Sequence, residues 1–404
     1  MKNFIIFIFL LVLVSCNQEH KPENRIKEDV AFLADDKLEG RQTGTEGEVK
    51  AAEYIKDRFE KLGLSPKGTD GFYQPFTFKP KTNPHEEVKF DANGDGTITG
   101  RNVVGFLDNK AKNTVIIGAH FDHLGYGGDG SLHRGDKAIH NGADDNASGV
   151  AVMLNLISKL KETNTNNNYL FMAFSGEEMG LLGSNYFVKN PTIDTKAVSY
   201  MINMDMVGRL KDSSLAVYGT GTSPIFKQTL KSHNDNFKLI QKESGVGPSD
   251  HTSFYLADIP VLHFFTGQHS DYHKPSDDTE TLNYEGMELV SSYIFNIISD
   301  LNDNGKLAFR KTKSEREQVR FKVGLGVIPD YMYDGKGMRV DGVSEDKPAI
   351  KAGIKKGDIV IQLGDTKVTD MMSYMKALSV FKEGDKTTVV VKRKDKEIKA
   401  DIQF

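Results

Sequence analysis

With 404 residues, 38% hydrophobic and 27% charged, the chain has the composition of a folded protein with room for two domains. Its net charge of -4 comes from interspersed acidic and basic residues, which leaves no basic stripe suited to nucleic acid. One cysteine, Cys16, excludes a disulfide framework and, lying so near the N-terminus, a thiol enzyme.

The chain opens with a short basic start, Met1-Lys2-Asn3, and an apolar run from Phe4 to Val14. That run is too short to span a bilayer and suits the hydrophobic region of an export signal. It ends in Leu13-Val14-Ser15-Cys16, which resembles the lipobox of bacterial lipoproteins. The resemblance implies a signal peptide over 1–16, acylation of Cys16 and anchoring to a membrane, at the periplasmic face or the cell surface. Residues 17–24 read as a polar tether.

From Arg25 to Leu301 strand and helix patterns alternate. Helical spacing of Val49, Ala52, Ile55, Phe59 and Leu62 predicts a helix over 44–62, stopped by Gly63. Strands are predicted at 102–107, 114–119, 169–174, 197–204, 215–218 and 260–265, with helices at 147–161, 181–189, 224–233 and 284–299. Several strands are apolar on both faces, as in a sheet covered by helices on each side. The fold class is therefore an α/β/α sandwich, over residues 17–305. A polar stretch, 306–320, reads as a linker, and 321–404 as a separate β-rich module with strands near 321–327, 338–343, 359–363, 387–392 and 397–404 and a helix at 370–380.

Residues suited to metal binding stand at successive strand ends, where open α/β sheets bind ligands. His120-Phe-Asp122-His123 follows one strand, Asp144-Asp145-Asn146 precedes a helix, Glu177-Glu178 follows another strand, Asp205 ends the next, and His273 lies in a late loop. Adjacent strand residues point to opposite faces, so Glu177 and Glu178 diverge, and burying both requires a cation or hydrogen bonds. Asn146 is placed to cap the helix, and Asp122 to orient His120. Imidazoles with carboxylates suit zinc, and a carboxylate can bridge two ions.

His120-x-Asp122, Gly142-Ala-Asp-Asp-Asn-Ala-Ser-Gly149, Gly176-Glu-Glu178, Asn203-Met-Asp205 and His273 resemble the co-catalytic di-zinc aminopeptidase family, whose relatives include glutamate carboxypeptidases and glutaminyl cyclases. Leu38-Glu-Gly-Arg-Gln-Thr-Gly-Thr45 and Ser249-Asp-His-Thr-Ser-Phe254 look like further family segments. The resemblance implies two zinc ions, with His120 and Asp205 on one, Glu178 and His273 on the other, and Asp145 bridging. It implies Glu177 as general base and peptides as substrates. Tyr272, next to His273, is a candidate to reach a developing oxyanion, and Ser249 and Asp250 are candidates to support Asp205.

Competing motifs are weaker. Gly125-Tyr-Gly-Gly-Asp-Gly130 has the letters of a dinucleotide fingerprint but no helix opens behind it. Asp91-Ala-Asn-Gly-Asp-Gly96 starts like a calcium loop, yet its twelfth position is Asn102, not Glu, so a turn is expected over 91–102. His123, His133 and His140 read as loop residues near the site. Rival chemistries on the same fold are glutaminyl cyclisation, which uses one zinc, and carboxypeptidase action, for which Arg41 or Arg209 would hold a substrate carboxylate. A non-catalytic, PDZ-centred binding protein is a third alternative, opposed by an intact Glu177.

In the last module, Arg320-Phe-Lys-Val-Gly324-Leu325-Gly326-Val327 resembles the carboxylate-binding loop of PDZ domains, and Ala352-Gly-Ile-Lys-Lys-Gly-Asp-Ile-Val-Ile361 resembles a segment of their bacterial subgroup. That implies capture of a peptide C-terminus by strand addition. The polar linker leads to the expectation that the two modules separate cleanly and that the PDZ groove recruits long peptides. For the anchor, Cys16→Ser should move the exported protein from the membrane to the soluble fraction; continued membrane attachment in fractionation would sink the lipoprotein reading.

Overall fold

A computed structural model describes residues 24–80, 88–128, 130–161, 163–312, 323–330, 333, 335–343 and 347–404. The signal peptide, Cys16, tether residues 17–23, linker residues 313–320 and Phe321-Lys322 lie outside the described residues.

The first module is built on one mixed sheet. Its strands are β1 (Ser65–Pro66), β2 (Tyr73–Phe78), β3 (Ile98–Leu107), β4 (Asn113–His120), β5 (Asn167–Phe174), β6 (Val198–Met204), β7 (Ser214–Tyr218), β8 (Lys238–Gln241) and β9 (Val261–Phe265). They run in the order β1-β3-β5-β4-β6-β9-β7-β8, with β2 beside β3. β5, β4, β6 and β9 form the parallel centre, and β3 and β7 flank it antiparallel. Every residue of β5 and β6 is buried, the consequence of helices on both faces.

On one face α1 (Ile26–Leu33), α2 (Glu46–Lys61), α3 (Gly149–Leu160), α5 (Phe226–Ser232) and α7 (Tyr284–Asp300) close the larger core, through Val30, Ile55, Phe59, Leu154 and Ile294 among others. On the other face α4 (Leu182–Lys189) and α6 (His251–Tyr255) bury Phe187, Phe254 and Tyr255. Every predicted strand and helix of this module is present. The sequence reading missed α1 and α6, the short strands β1 and β8, and β2, whose Pro75 breaks the strand pattern.

Register brings the catalytic ends together. His120 at the end of β4 pairs with Phe174 at the end of β5, and Gly118 pairs with Asn203, so β6 also ends beside them. The turns carrying Glu177-Glu178 and Asp205 therefore leave the sheet next to His120.

The stretch expected as a linker from 306 onward is partly seated on this domain. Leu307 is buried in the larger core, Arg310 N–H donates to Thr222 O at 2.8 Å, and Thr312 N–H donates to the Tyr255 hydroxyl at 2.9 Å. The polar composition of the stretch hid these anchors, because their partners lie far away in the sequence.

The second module has its own core, with Leu325, Val340, Val360, Leu363, Leu378 and Val389 buried. Its strands are β10 (Val327–Pro329), β11 (Met338–Val343), β12 (Ile359–Leu363), β13 (Thr366–Lys367), β14 (Lys386–Arg393) and β15 (Lys396–Gln403), with α8 (Pro348–Lys351) and α9 (Met371–Ser379) between them. Of the strand expected over 321–327, the described residues 323–326 are not strand, and β10 begins at Val327. Gly324-Leu325-Gly326 is a loop, since Gly326 has φ +79° and a Cβ there would sit 2.0 Å from Lys347 Cβ. Leu325 turns into the core and its carbonyl accepts from Ala349 N–H at 2.8 Å.

Glu48 of α2 is fully buried behind the end of β5, accepting from Ser175 Oγ at 2.8 Å and Arg101 N–H at 3.1 Å. Burial pushes its carboxyl from 4.5 up to about 7, despite the lowering effect of the Ser175 bond. The folded protein then holds a proton that the unfolded chain has lost, so stability falls as pH rises from about 5 to about 7. Glu48→Gln cannot titrate. Chemical denaturation across that window should show a flatter profile for the variant, with a difference in slope amounting to on the order of 3 kcal/mol.

Candidate metal centre

Asp145 stands between two histidines. One of its carboxylate oxygens is 3.3 Å from His120 Nε2 and the other is 3.2 Å from His273 Nε2. His120 Nε2 is also 3.3 Å from Asp205, and His273 Nε2 is 3.3 Å from Glu178. The five expected ligands thus converge as two groups of three that share Asp145. The closest ligand-atom clusters are His120, Glu177 and Asp205, and His123, Asp145 and Glu178, each with atoms within 4.8 Å of one another.

The tautomers are set by backbone carbonyls. His120 Nδ1 lies 3.2 Å from Asp122 O and His273 Nδ1 lies 2.8 Å from Gly130 O, so each ring donates there and presents an Nε2 lone pair to the carboxylates. His123 differs. Its Nδ1 donates to Glu178 at 2.8 Å, and its Nε2 is buried without a hydrogen-bond partner. It orients Glu178, a role that the sequence reading, which left His123 as a loop residue, missed. The available signal was the second histidine of His120-Phe-Asp-His123, three residues beyond a core strand.

Asp122 corrects an expectation. Its carboxylate lies 3.8 Å from His120 Nδ1, beyond hydrogen-bonding range, and accepts instead from Glu177 N–H at 3.1 Å, Glu178 N–H at 3.4 Å and Thr43 Oγ1 at 3.1 Å. It fixes the turn that carries the two glutamates, while its backbone carbonyl orients His120. Asp277 does the same for the other turn, accepting from Asp144 N–H and Asp145 N–H at 3.0 Å each. Neither partnership follows from local sequence, because they join residues 55 and 132 positions apart.

Asn146 caps α3 as expected: its Oδ1 accepts from Gly149 N–H at 3.0 Å. The same amide also ties the helix to β6, accepting from Met206 N–H and donating to Met204 O. Gly142, at φ +56°, makes the turn possible, since a Cβ there would meet Asp145 O at 2.0 Å.

Ser249 does not support Asp205 directly; its Oγ accepts from Asn203 Nδ2 at 2.8 Å, two residues upstream. Asp250 is fully buried with both carboxylate oxygens lacking a hydrogen-bond partner, and burial pushes it up to about 7. Tyr272 stacks on the His273 ring, centroids 3.8 Å apart. Arg41 offers no cation to a substrate. It is fully buried and donates to Phe121 O, Asn141 O and Gly142 O, tying together the loops that carry the ligands. Arg209 is paired with Asp271 at 3.0 Å.

The charge balance fits a bound cation. Burial, followed by Asp205 and Glu178, pushes the Glu177 carboxyl well above the usual range, even against the pull of His120. Burial works against a charged His273, yet Glu178 and Asp145 raise it to about 9. Buried carboxylates that draw protons onto neighbouring imidazoles are a site short of positive charge. Five oxygen and nitrogen donors with one shared carboxylate suit two zinc ions. No other cluster of this kind occurs among the described residues, and the 91–96 loop is not part of one.

Residues 102–298 match the family model for peptidase family M28, and residues 308–404 match a PDZ domain model. This chain carries an M28 peptidase domain followed by a PDZ domain. A probable leucine aminopeptidase of Trichophyton verrucosum is 33% identical over 39% of this chain and 44% of its own length. Aminopeptidase YwaD of Bacillus subtilis is 26% identical over 55% and 49%. The chain's matches thus span about half the length of its curated relatives. Among solved structures, an aminopeptidase from an Aneurinibacillus species shares the fold at TM-score 0.53 and 19% identity, covering 71% of this chain and 94% of that one. A glutaminyl cyclase from Bacteroides thetaiotaomicron does so at TM-score 0.55 and 17% identity, over 68% and 96%.

If Asp122 positions the glutamate turn, Asp122→Asn, which replaces one acceptor with a donor facing N–H groups, should weaken zinc affinity by about 10- to 100-fold. Competition with a zinc chelator measures this; unchanged affinity would remove Asp122 from the support of Glu178.

Proposed function

We propose that this chain is a zinc aminopeptidase, exported and held at a membrane through Cys16, that removes N-terminal residues from peptides. The observation that carries the reading is Asp145, with one oxygen beside His120 and the other beside His273. His120 and Asp205 would hold one zinc, Glu178 and His273 the second, and Asp145 both. Two zinc ions so held would supply Lewis acidity, lowering the pKa of water and polarising the scissile carbonyl.

The rest is done by this chain's side chains. Glu177 takes the proton of the attacking water and, as the scissile C–N bond breaks, passes it to the leaving amine nitrogen, work suited to a carboxyl whose proton affinity is raised by burial. Asp122 holds Glu177 and Glu178 at a fixed separation through their amides, and His123 holds Glu178 in its rotamer. Tyr272, seated on His273, is the neighbour available to donate to a developing oxyanion.

Aminopeptidases and a cyclase share this fold, so the fold leaves the reaction open. The five-donor set favours two ions over the single zinc of cyclisation. Carboxypeptidase action loses its support because Arg41 is spent on backbone carbonyls and Arg209 on Asp271. Among the described residues no helix is long and apolar enough to cross a membrane, and the anchor in this proposal is the acylated Cys16.

The purified protein should carry two zinc ions per chain and cleave aminoacyl p-nitroanilides. Glu177→Gln should keep both ions and lose about 100- to 10,000-fold in kcat. A metal content of one together with cyclisation of N-terminal glutamine would transfer the assignment to the cyclase, and a variant with most of its turnover would show that Glu177 is not the base.

A further inference from the structure

The cavity above the carboxylates encloses about 280 Å³, and its walls come from both modules. Asp145, Glu177, Glu178, Asp205 and His273 line its polar part. Leu132, Tyr218 and Phe265 of the peptidase domain line one apolar side, and Val327, Ile328 and Pro329 line another. Those last three residues are the whole of β10, the edge strand of the PDZ sheet.

A second contact fixes β10 in place. Lys242, just after β8, donates from Nζ to Tyr333 O at 2.9 Å. Asp330, which follows β10, is paired with Arg339 Nε at 2.7 Å, and the Arg339 guanidinium lies over the Tyr333 ring. The segment leaving β10 is thus tied both to its own module and to the peptidase sheet.

The cavity is at the lower end of the usual range for small-ligand pockets, about 300–1,000 Å³. It has room for a terminal residue rather than a length of chain. All three β10 residues are apolar, and all three are half-buried. An apolar wall next to a polar floor sorts ligands by the side chain that lies against it.

We infer that β10 of the PDZ domain is a wall of the substrate pocket, and that Ile328 is a specificity-determining residue selecting an apolar side chain on the residue to be removed. This rests on the aminopeptidase reading and adds to it the residue, on the PDZ domain, that sorts N-terminal side chains. It also changes the expected division of labour. The strand expected to recruit a peptide C-terminus at a separate groove stands at the catalytic pocket, so the PDZ module acts on the smallest substrates as well as on long ones.

The test uses the full-length, zinc-loaded protein with leucine and alanine p-nitroanilides, neither of which has a C-terminal segment for a PDZ groove to bind. A methylene in such a pocket is worth about 10- to 200-fold in selectivity. Ile328→Ala should therefore lower kcat/KM for the leucine substrate by about 10-fold or more, mainly through KM, and for the alanine substrate by less than about 3-fold. Ile328→Val, which keeps the branched shape, should restore most of the difference. Zinc content and melting temperature guard against a misfolded variant. A readout independent of turnover is amide hydrogen exchange: free leucine, the expected product, should slow exchange at Val327 and Ile328, and glycine should not. Equal changes on both substrates, or none, with zinc and melting unaltered, overturn the inference. So does a loss confined to long peptides, which would assign β10 to recruitment. If the wild-type protein holds two zinc ions and cleaves neither substrate, the aminopeptidase reading fails, while leucine-dependent protection of Val327 and Ile328 still decides whether β10 is a pocket wall.

Discussion

Asp145, Glu177, Glu178 and Asp205 bring four carboxylates to one pocket at the end of the sheet's parallel centre, and the surrounding structure is organised around holding that negative charge. Burial, with Asp205 and Glu178 nearby, raises the proton affinity of Glu177, while against its burial Asp145 is held well below the usual range by hydrogen bonds to His120 and His273. The protein leaves the resulting deficit at the pocket and supports it from behind. Asp122 and Asp277 fix the two ligand turns through backbone N–H groups, so the ligands are positioned by amides that carry no net charge. Buried Arg41 lies behind them and joins three loop carbonyls.

Such a site needs a scaffold that does not yield. The parallel centre of the sheet supplies it, because β4, β5 and β6 end side by side and are packed on both faces. Asn146 joins α3 to the end of β6, so the helix that follows Asp145 cannot move independently of the strand that precedes Asp205. Side chains placed on strand ends and tied by second contacts are held more closely than side chains on free loops.

The PDZ module meets this scaffold through its edge strand. An exposed strand edge invites pairing with other chains, and proteins protect edges by covering them, shortening them or placing proline in them. β10 is three residues long, contains Pro329, shifts register after Ile328 and stands against the peptidase pocket. The features that quiet an edge are the same ones that let this strand serve as an apolar wall.

The amino-acid sequence by itself determined the order of the main strands and helices and the α/β/α class, and it singled out the residues that converge around Asp145. Those follow from local period and from residue type at strand ends, which are short-range properties. It also located two modules, although the seating of Leu307 and Thr312 on the first one depends on contacts with distant residues that leave no period. What only the tertiary structure decided lies in long-range pairings. Asp122 acts on an amide 55 residues away, His123 on a carboxylate the same distance away, Arg41 on carbonyls 80 to 101 residues away, and Val327–Pro329 on a pocket whose nearest ligand is His273. A sequence shows which groups are able to bond. Which of them meet is settled by the packing of distant elements, and here that packing turned a buried arginine into a brace and a PDZ edge strand into a pocket wall.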